Sequence, residues 1–228
     1  MAGRISTGIK GIDSMLEGGI EDGSVILVSG VSGTGKTILA LQYLQQGLSE
    51  GETVLYVTFK ESEESLKRTI KTMGWKLSDS DRKFRVLEIS PEEIPDLIQS
   101  DCKIILQVLE AHKPKRVVID AITTFSLYSE GLELRQSIFK LYNLMRSGDH
   151  TTLLLSDLDR RRQEETTHEF IEPYVDGIIA LYSLVRTDAR YKAIEVLKMR
   201  RTDHHTKRVW YKIKDGFEVD YRPYTTIW

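Results

Sequence analysis

The sequence predicts an α/β fold: a mostly parallel sheet flanked by helices, extended by antiparallel strands in its last third. Three observations carry this. From Ser24 to Ser156, short apolar runs alternate with segments of helical period. The first apolar run leads directly into a glycine-rich turn and then a helix. After Gly177 the helical segments stop, and four strand-like segments follow in series. Strands separated by helices imply parallel pairing through right-handed crossovers. Strands joined by short turns imply hairpins added to one edge.

The elements follow in order. Ser24–Ser29 is apolar and reads as a buried strand. Lys36–Gly47 places Ile38, Leu39, Leu41 and Leu44 at helical spacing. Thr53–Phe59 is β-branched and aromatic, a second strand. Glu63–Met73 reads as a helix and Phe84–Ile89 as a third strand. Ser90-Pro91-Glu92-Glu93 is a capping-box pattern with Pro at the first helical position, which predicts one long helix to about His112. Arg116–Asp120 is a strand, Leu132–Arg146 a helix and Thr151–Ser156 a strand. Gly177–Leu184, Tyr191–Met199, Lys207–Ile213 and Phe217–Val219 are the strands of the extension. No repeat or Pro/Gly linker interrupts this order, so residues 1–228 are expected to form one domain.

Composition narrows the function classes. Acidic and basic residues number 34 and 32, for a net charge of −2, which argues against a protein that coats nucleic acid along its whole surface. A chain of this size buries about 70% of its unfolded surface, so neither disulfide nor metal is needed to fold it. The one cysteine, Cys102, reads as an ordinary helix residue and fits a reducing compartment. Met1–Asp13 has no apolar core of a secretory signal, and no apolar run approaches the ~20 residues of a membrane span. A cytoplasmic protein with no membrane association is expected.

Gly30-Val31-Ser32-Gly33-Thr34-Gly35-Lys36-Thr37 fits G-x-x-x-x-G-K-[ST] at every fixed position, between a strand and a helix. Gly33 and Gly35 permit backbone angles that aim successive N–H groups at phosphate oxygens. The helix N-terminus adds partial positive charge. The nucleotide cradle is therefore Val31, Ser32, Gly33, Thr34, Gly35, Lys36, Thr37 and Ile38. Lys36 reaches the β- and γ-phosphates, and the Thr37 hydroxyl is placed to hold Mg²⁺. Downstream, Arg116–Asp120 delivers a carboxylate at a strand's C-terminal end, where ligands bind in such sheets. Asp120 is the second expected Mg²⁺ contact. ATP and Mg²⁺ are the expected ligands.

Ile5-Ser6-Thr7-Gly8-Ile9-Lys10-Gly11-Ile12-Asp13 through Gly18-Gly19-Ile20 resembles the KaiC-like branch of the RecA/RadA ATPase superfamily. So do Val118-Ile119-Asp120, Val175–Ile179 and Val196–Arg200 followed by Thr202-Asp203-His204. The resemblance spans nearly the whole chain and implies a RecA-like core. It further implies a homo-oligomeric ring, usually a hexamer, with ATP between subunits and an unidentified regulatory protein partner. On the late strand it makes Lys198 and Arg200 catalytic cations acting on a neighbour's γ-phosphate. Residues i and i+2 share a strand face, so the two project together.

Departures from the family pattern shape the expected activity. The pattern places two glutamates after Thr-Phe, but this chain reads Thr58-Phe59-Lys60-Glu61. Glu61 is then the remaining catalytic carboxylate, and because general-base catalysis is worth about 10²–10⁴-fold, a slow ATPase follows. Glu172 and Pro173 stand where clock-type autokinases carry Ser-Thr acceptors, so no such activity is expected. Arg201 replaces the usual Gly after Lys-x-Arg and is expected either to contact phosphate or, the favoured reading, to face solvent. Ser156-Asp157 replaces Ser-Gln; Asp157 is placed either to sense the metal or water, or to cap a loop.

Two alternatives stand beside the regulatory ATPase. One is a hydrolysis-dead nucleotide-sensing scaffold. The other is a DNA-binding repair accessory resembling RadA paralogues, suggested by Arg160-Arg161-Arg162. Five carboxylates between Asp157 and Glu169 offset those arginines, so DNA is the less favoured partner. Val185–Lys214 holds ten lysines and arginines against three carboxylates, which suits a face turned toward a neighbour's ATP. His204 and His205 are adjacent, which disfavours joint metal binding.

Overall fold

The computed structural model describes residues 3–75, 82–158, 170–186 and 189–223. The chain opens with a short ribbon, β1 (Arg4–Ile5) paired with β2 (Ile20–Glu21), around helix α1 (Lys10–Met15). No element was expected there. Asp13 organises it, accepting hydrogen bonds from Ser6 Oγ (2.6 Å), Thr7 N (2.7 Å) and Thr7 Oγ1 (2.6 Å).

Then come β3 (Val25–Val31), α2 (Lys36–Ser49), β4 (Val54–Thr58), α3 (Glu63–Thr72), β5 (Phe84–Glu88), α4 (Ile94–Gln99), α5 (Lys103–His112) and β6 (Arg116–Asp120). A 3-10 turn at Ile122–Leu127, absent from the expectation, precedes α6 (Gly131–Ser147) and β7 (Thr151–Leu158). The extension is β8 (Gly177–Arg186), β9 (Ala189–Met199), β10 (Val209–Ile213) and β11 (Phe217–Pro223).

The expected long helix to His112 is divided in two. The capping box at Ser90 and Glu93 forms as expected, but Asp101 and Cys102 take left-handed backbone, with φ of 53° and 61°. Cys102 N donates to Leu97 O at 2.9 Å, closing the first helix in the manner of a Schellman end. Ser100 and Asp101 supply the reason: short polar side chains compete with helical hydrogen bonding. Cys102 therefore precedes α5 rather than lying within a helix. Burial pushes its thiol up to about 11.

The nine-stranded sheet has the order β11-β10-β9-β8-β3-β7-β6-β4-β5. β3, β4, β5, β6, β7 and β8 are mutually parallel, and antiparallel pairing begins only between β8 and β9. This corrects the expectation for β8, the first strand of the extension. Its pairing with β3, Ile26 opposite Gly177 through Gly30 opposite Leu181, makes it part of the parallel sheet. Alternation along β3 divides the interior into two cores. Ile26 and Val28 face one with α1, α2 and α3, while Val25 and Leu27 face the other with α4, α5 and α6. A parallel sheet covered on both faces explains why β3, β4 and most of β6 read as unbroken apolar runs. No helix among the described residues is long and apolar enough to cross a membrane.

Candidate nucleotide site

The sheet register converges four strand ends on one place. Gly30 lies opposite Asp157, Thr58 opposite Asp120, and Asp120 opposite Leu155. The C-terminal ends of β3, β7, β6 and β4 thus deliver the glycine-rich loop, Asp157, Asp120 and Lys60-Glu61 side by side. A cavity of about 260 Å³ lies among Ser32, Gly33, Gly35, Lys36, Thr37, Lys60, Glu61, Asp120 and Asp157.

The loop has the backbone its sequence demands: Gly33 and Gly35 have φ of 87° and 96°. Val31, Thr34 and Ile38 turn their side chains away from the cavity. Val31 is buried, Thr34 Oγ1 donates to Val31 O at 2.8 Å, and Ile38 packs on the core. Any contact they make with phosphate is through the main chain. The extension braces the loop from behind. Tyr211 Oη on β10 donates to Thr34 O, and Ile213 fills the space a side chain at Gly35 would need.

Lys36 is buried, and its ammonium donates to Gly30 O at 2.7 Å and Val31 O at 3.3 Å. It also pairs with Asp157 Oδ1 at 2.8 Å, while Lys60 Nζ lies 2.6 Å from Asp157 Oδ2. Burial pulls the Asp157 carboxyl upward. The hydrogen bonds and charges of the two lysines outweigh it and hold the group below its ordinary value.

Thr37 Oγ1 donates to Asp120 Oδ2 at 3.1 Å, so the two expected Mg²⁺ contacts are neighbours. Tyr56 Oη donates to the same oxygen at 2.5 Å. Burial raises the Asp120 carboxyl against the opposing pull of these two bonds. Tyr56 was not a sequence candidate, since it sits in an apolar strand and only the register across β4 and β6 reveals its reach. Thr58 Oγ1 caps the turn after β4, accepting from Lys60 N at 3.3 Å and Glu61 N at 2.9 Å. Glu61 accepts from Ser65 Oγ at 3.0 Å and lines the cavity. A hydroxyl and a carboxylate side by side suit a hard cation that keeps several waters, and the amide-lined loop suits phosphates.

Lys198 and Arg200 lie elsewhere. Lys198 Nζ donates to Glu172 O at 2.7 Å and Arg200 Nη2 to Pro173 O at 2.6 Å. Arg200 N donates to Asp176 O, and Asp176 Oδ2 accepts from Val25 N at 3.0 Å, which ties the pair to the start of β3. The phosphate loop is at the other end of that strand, roughly 20 Å away for six residue steps. The two cations share a face as expected, but they do not line their own chain's phosphate cavity.

Arg201 is exposed, as expected, and its exposed side chain is also paired. Its φ of 55° is left-handed, the conformation glycine adopts freely, and its Nε pairs with Glu21 Oε2 at 2.5 Å at the surface. His204 and His205 lie in irregular backbone, and no group of three metal-ligating side chains occurs among the described residues. Arg160, Arg161 and Arg162 lie outside the described residues, as does most of the loop weighed for DNA.

A family model described as "ATPase: KaiC" matches residues 5–220. The circadian clock oscillator protein KaiC of Prochlorococcus marinus is 31% identical over 215 residues, covering 88% of this chain but 42% of that protein. The chain thus spans under half the length of that relative. A UPF0273 protein of Thermotoga maritima is 30% identical, with 97% of both chains covered. The crystal structure of a KaiC-like protein from Pyrococcus horikoshii OT3 matches with a TM-score of 0.84 at 27% identity, covering 96% of this chain and 100% of that one.

Proposed function

Because the chain belongs to the KaiC ATPase family, we propose that it binds ATP with Mg²⁺, hydrolyses it slowly, and regulates a protein partner through its nucleotide state. The observation that carries this is the convergence of the loop, the Thr37–Asp120 pair and Glu61 on one cavity.

In this proposal the loop amides and Lys36 bind the β- and γ-phosphates, and Thr37 with Asp120 holds the ion. Magnesium, when bound, screens charge on the phosphate oxygens. Glu61 orients a water and receives its proton as the water oxygen bonds to the γ-phosphorus and the bridge to the β-phosphate breaks. The rate is slow because the first of the two positions after Phe59 carries Lys60, an ammonium paired with Asp157, and not a carboxylate.

The separation of Lys198 and Arg200 from their own phosphate loop supports a head-to-tail homo-oligomer, a hexameric ring in the simplest case, in which they serve a neighbour's site. Neither Glu172 nor Pro173 carries a hydroxyl, so no clock-type autokinase activity is part of this proposal. The buried free Cys102 fits a cytoplasmic location.

ATP turnover in the wild type and in Lys36→Ala and Glu61→Gln variants tests the reading. Turnover that exceeds Lys36→Ala and falls in Glu61→Gln is expected. Turnover no greater than that of Lys36→Ala removes the enzyme and leaves the nucleotide-sensing scaffold, the second reading that the Lys60–Asp157 pair favours. Lys60→Glu is expected to raise the saturated rate, and an unchanged rate refutes this account of the slow site.

A further inference from the structure

Asp157 holds two lysines of the phosphate cavity at once, Lys36 through Oδ1 at 2.8 Å and Lys60 through Oδ2 at 2.6 Å. Lys36 is nearly buried and Lys60 half exposed, and the carboxylate between them is one-third exposed toward the same cavity. Among the described residues no other carboxylate pairs with either ammonium. Carboxylates and phosphates present pairs of oxygens to the same kinds of cationic donor. Asp157 therefore occupies cationic donors that phosphate oxygens would otherwise take.

The sheet sets the side from which each lysine reaches Asp157. Across the carboxyl ends the order is β3 with the phosphate loop, β7 with Asp157, β6 with Asp120, and β4 with Lys60. Neighbouring strands lie about 4.8 Å apart, so β4 stands roughly 14 Å from the strand that carries the loop. Lys60 reaches back over β6 toward Asp157. Lys36 therefore stands on the loop side of Asp157 and Lys60 on the side toward which a chain of phosphoryl groups would project from the loop. On this arrangement a diphosphate would take Lys36 and leave Asp157 on Lys60, whereas a triphosphate would offer oxygens to both ammonium groups.

We infer that Asp157 is a built-in competitor for the phosphate site and that Lys60 makes the site prefer a nucleoside triphosphate over a diphosphate. This rests on the nucleotide-binding reading above and adds to it the basis of discrimination between the two ligands.

Equilibrium affinities for ADP and for a non-hydrolysable β,γ-imido ATP analogue test it, measured on the wild type, Asp157→Asn, Lys60→Gln and a Lys36→Ala control. Asp157→Asn is expected to bind ADP about tenfold more tightly, because a charge-assisted competitor is gone. Lys60→Gln is expected to bind the triphosphate analogue about tenfold more weakly and ADP within about twofold of the wild type. Lys60→Met and Asp157→Ser, each with an unchanged circular dichroism spectrum, must repeat these patterns. An Asp157→Asn protein whose ADP affinity is unchanged or weaker overturns the competitor. A Lys60→Gln protein that weakens both ligands equally overturns the discrimination. Wild type that binds neither ligand better than Lys36→Ala overturns the nucleotide reading itself, and the inference with it.

Discussion

Tyr211 donates its hydroxyl hydrogen to the carbonyl oxygen of Thr34 at 2.5 Å, joining the antiparallel extension to the centre of the phosphate loop. The ring is buried and stacks on Phe217 with centroids 4.2 Å apart. Burial drives its phenol well above the ordinary tyrosine range, so the hydroxyl remains a donor throughout the physiological range. The extension is thus part of the nucleotide site although none of its described residues lines the cavity. Tyr211→Phe keeps the stacked ring and removes the donor. It is expected to cost about 1 kcal/mol of stability and to weaken nucleotide binding several-fold. Denaturant unfolding and nucleotide titration measure the two effects; a stability loss with unchanged affinity would mean that the bond does not shape the loop.

Arg116 begins the strand that ends in Asp120, and it is fully buried. Its guanidinium pairs with Glu52 at 2.5 Å and Glu50 at 2.6 Å, donates to Ser6 O at 2.6 Å, and lies 4.9 Å from the centroid of Tyr43. A Cβ on Gly47 would lie 2.7 Å from Arg116 Cδ and Nε. Arg116→Ala is expected to cost about 3 kcal/mol or more by leaving a cavity and depriving the Ser6 and Tyr43 carbonyls of their donor. Gly47→Ala is expected to cost about 1–3 kcal/mol by crowding the arginine. Because Arg116→Ala vacates the space that Gly47→Ala fills, the double variant should lose clearly less than the two losses combined. Simple additivity in denaturant unfolding would refute the contact.

His150 precedes β7 and is buried, with no hydrogen-bond partner for Nε2. Burial holds its pKa below the ordinary value, against the upward pull of Asp149 and with a downward push from Lys115. On acidification the unfolded chain then binds the proton first. Stability is complete above the ordinary histidine pKa of about 6.5 and declines as pH falls through it toward the depressed folded value. Melting temperatures recorded from pH 8 to pH 5.5 should drop on the acid side, and His150→Gln should flatten that slope. A slope unaltered by the substitution would assign it to other groups.

Lys198 and Arg200 are tied to carbonyls at the far end of β3 from the phosphate loop. Arg200→Ala is expected to lower turnover by about 10³-fold, the scale of a cation supplied in trans. Mixing Arg200→Ala subunits with Lys36→Ala subunits should restore activity above either alone, because some junctions then pair an intact loop with an intact arginine. Mixtures no more active than their parts would count against a shared site.

Much of the fold was legible because most strands from Val25 to Leu158 centre on a short apolar run bounded by a turn or a helix. The phosphate loop was legible because its chemistry demands fixed residues at fixed spacing. Other features needed three dimensions. The break at Asp101–Cys102 is hidden by a helical apolar spacing that continues through it. The parallel pairing of β8 depends on a partner about 150 residues earlier in the chain, Ile26 opposite Gly177. Tyr56, Tyr211 and the double pairing of Asp157 emerge only from strand register. Arg201 occupies a left-handed position that sequence alone marks only by comparison with glycine.

The placement of the phosphate loop and the Lys198–Arg200 pair at opposite ends of one strand has an arithmetic consequence. Any open row of such subunits, whatever its length, terminates in one loop without a cation donor and one donor without a loop. Two copies would complete a single junction, and three copies two. Only closure makes the number of complete junctions equal the number of chains. Turnover per chain would then rise with each increment of an open row and reach its ceiling when the ends meet. The specific activity of this protein against its concentration would report how many of its ends remain free.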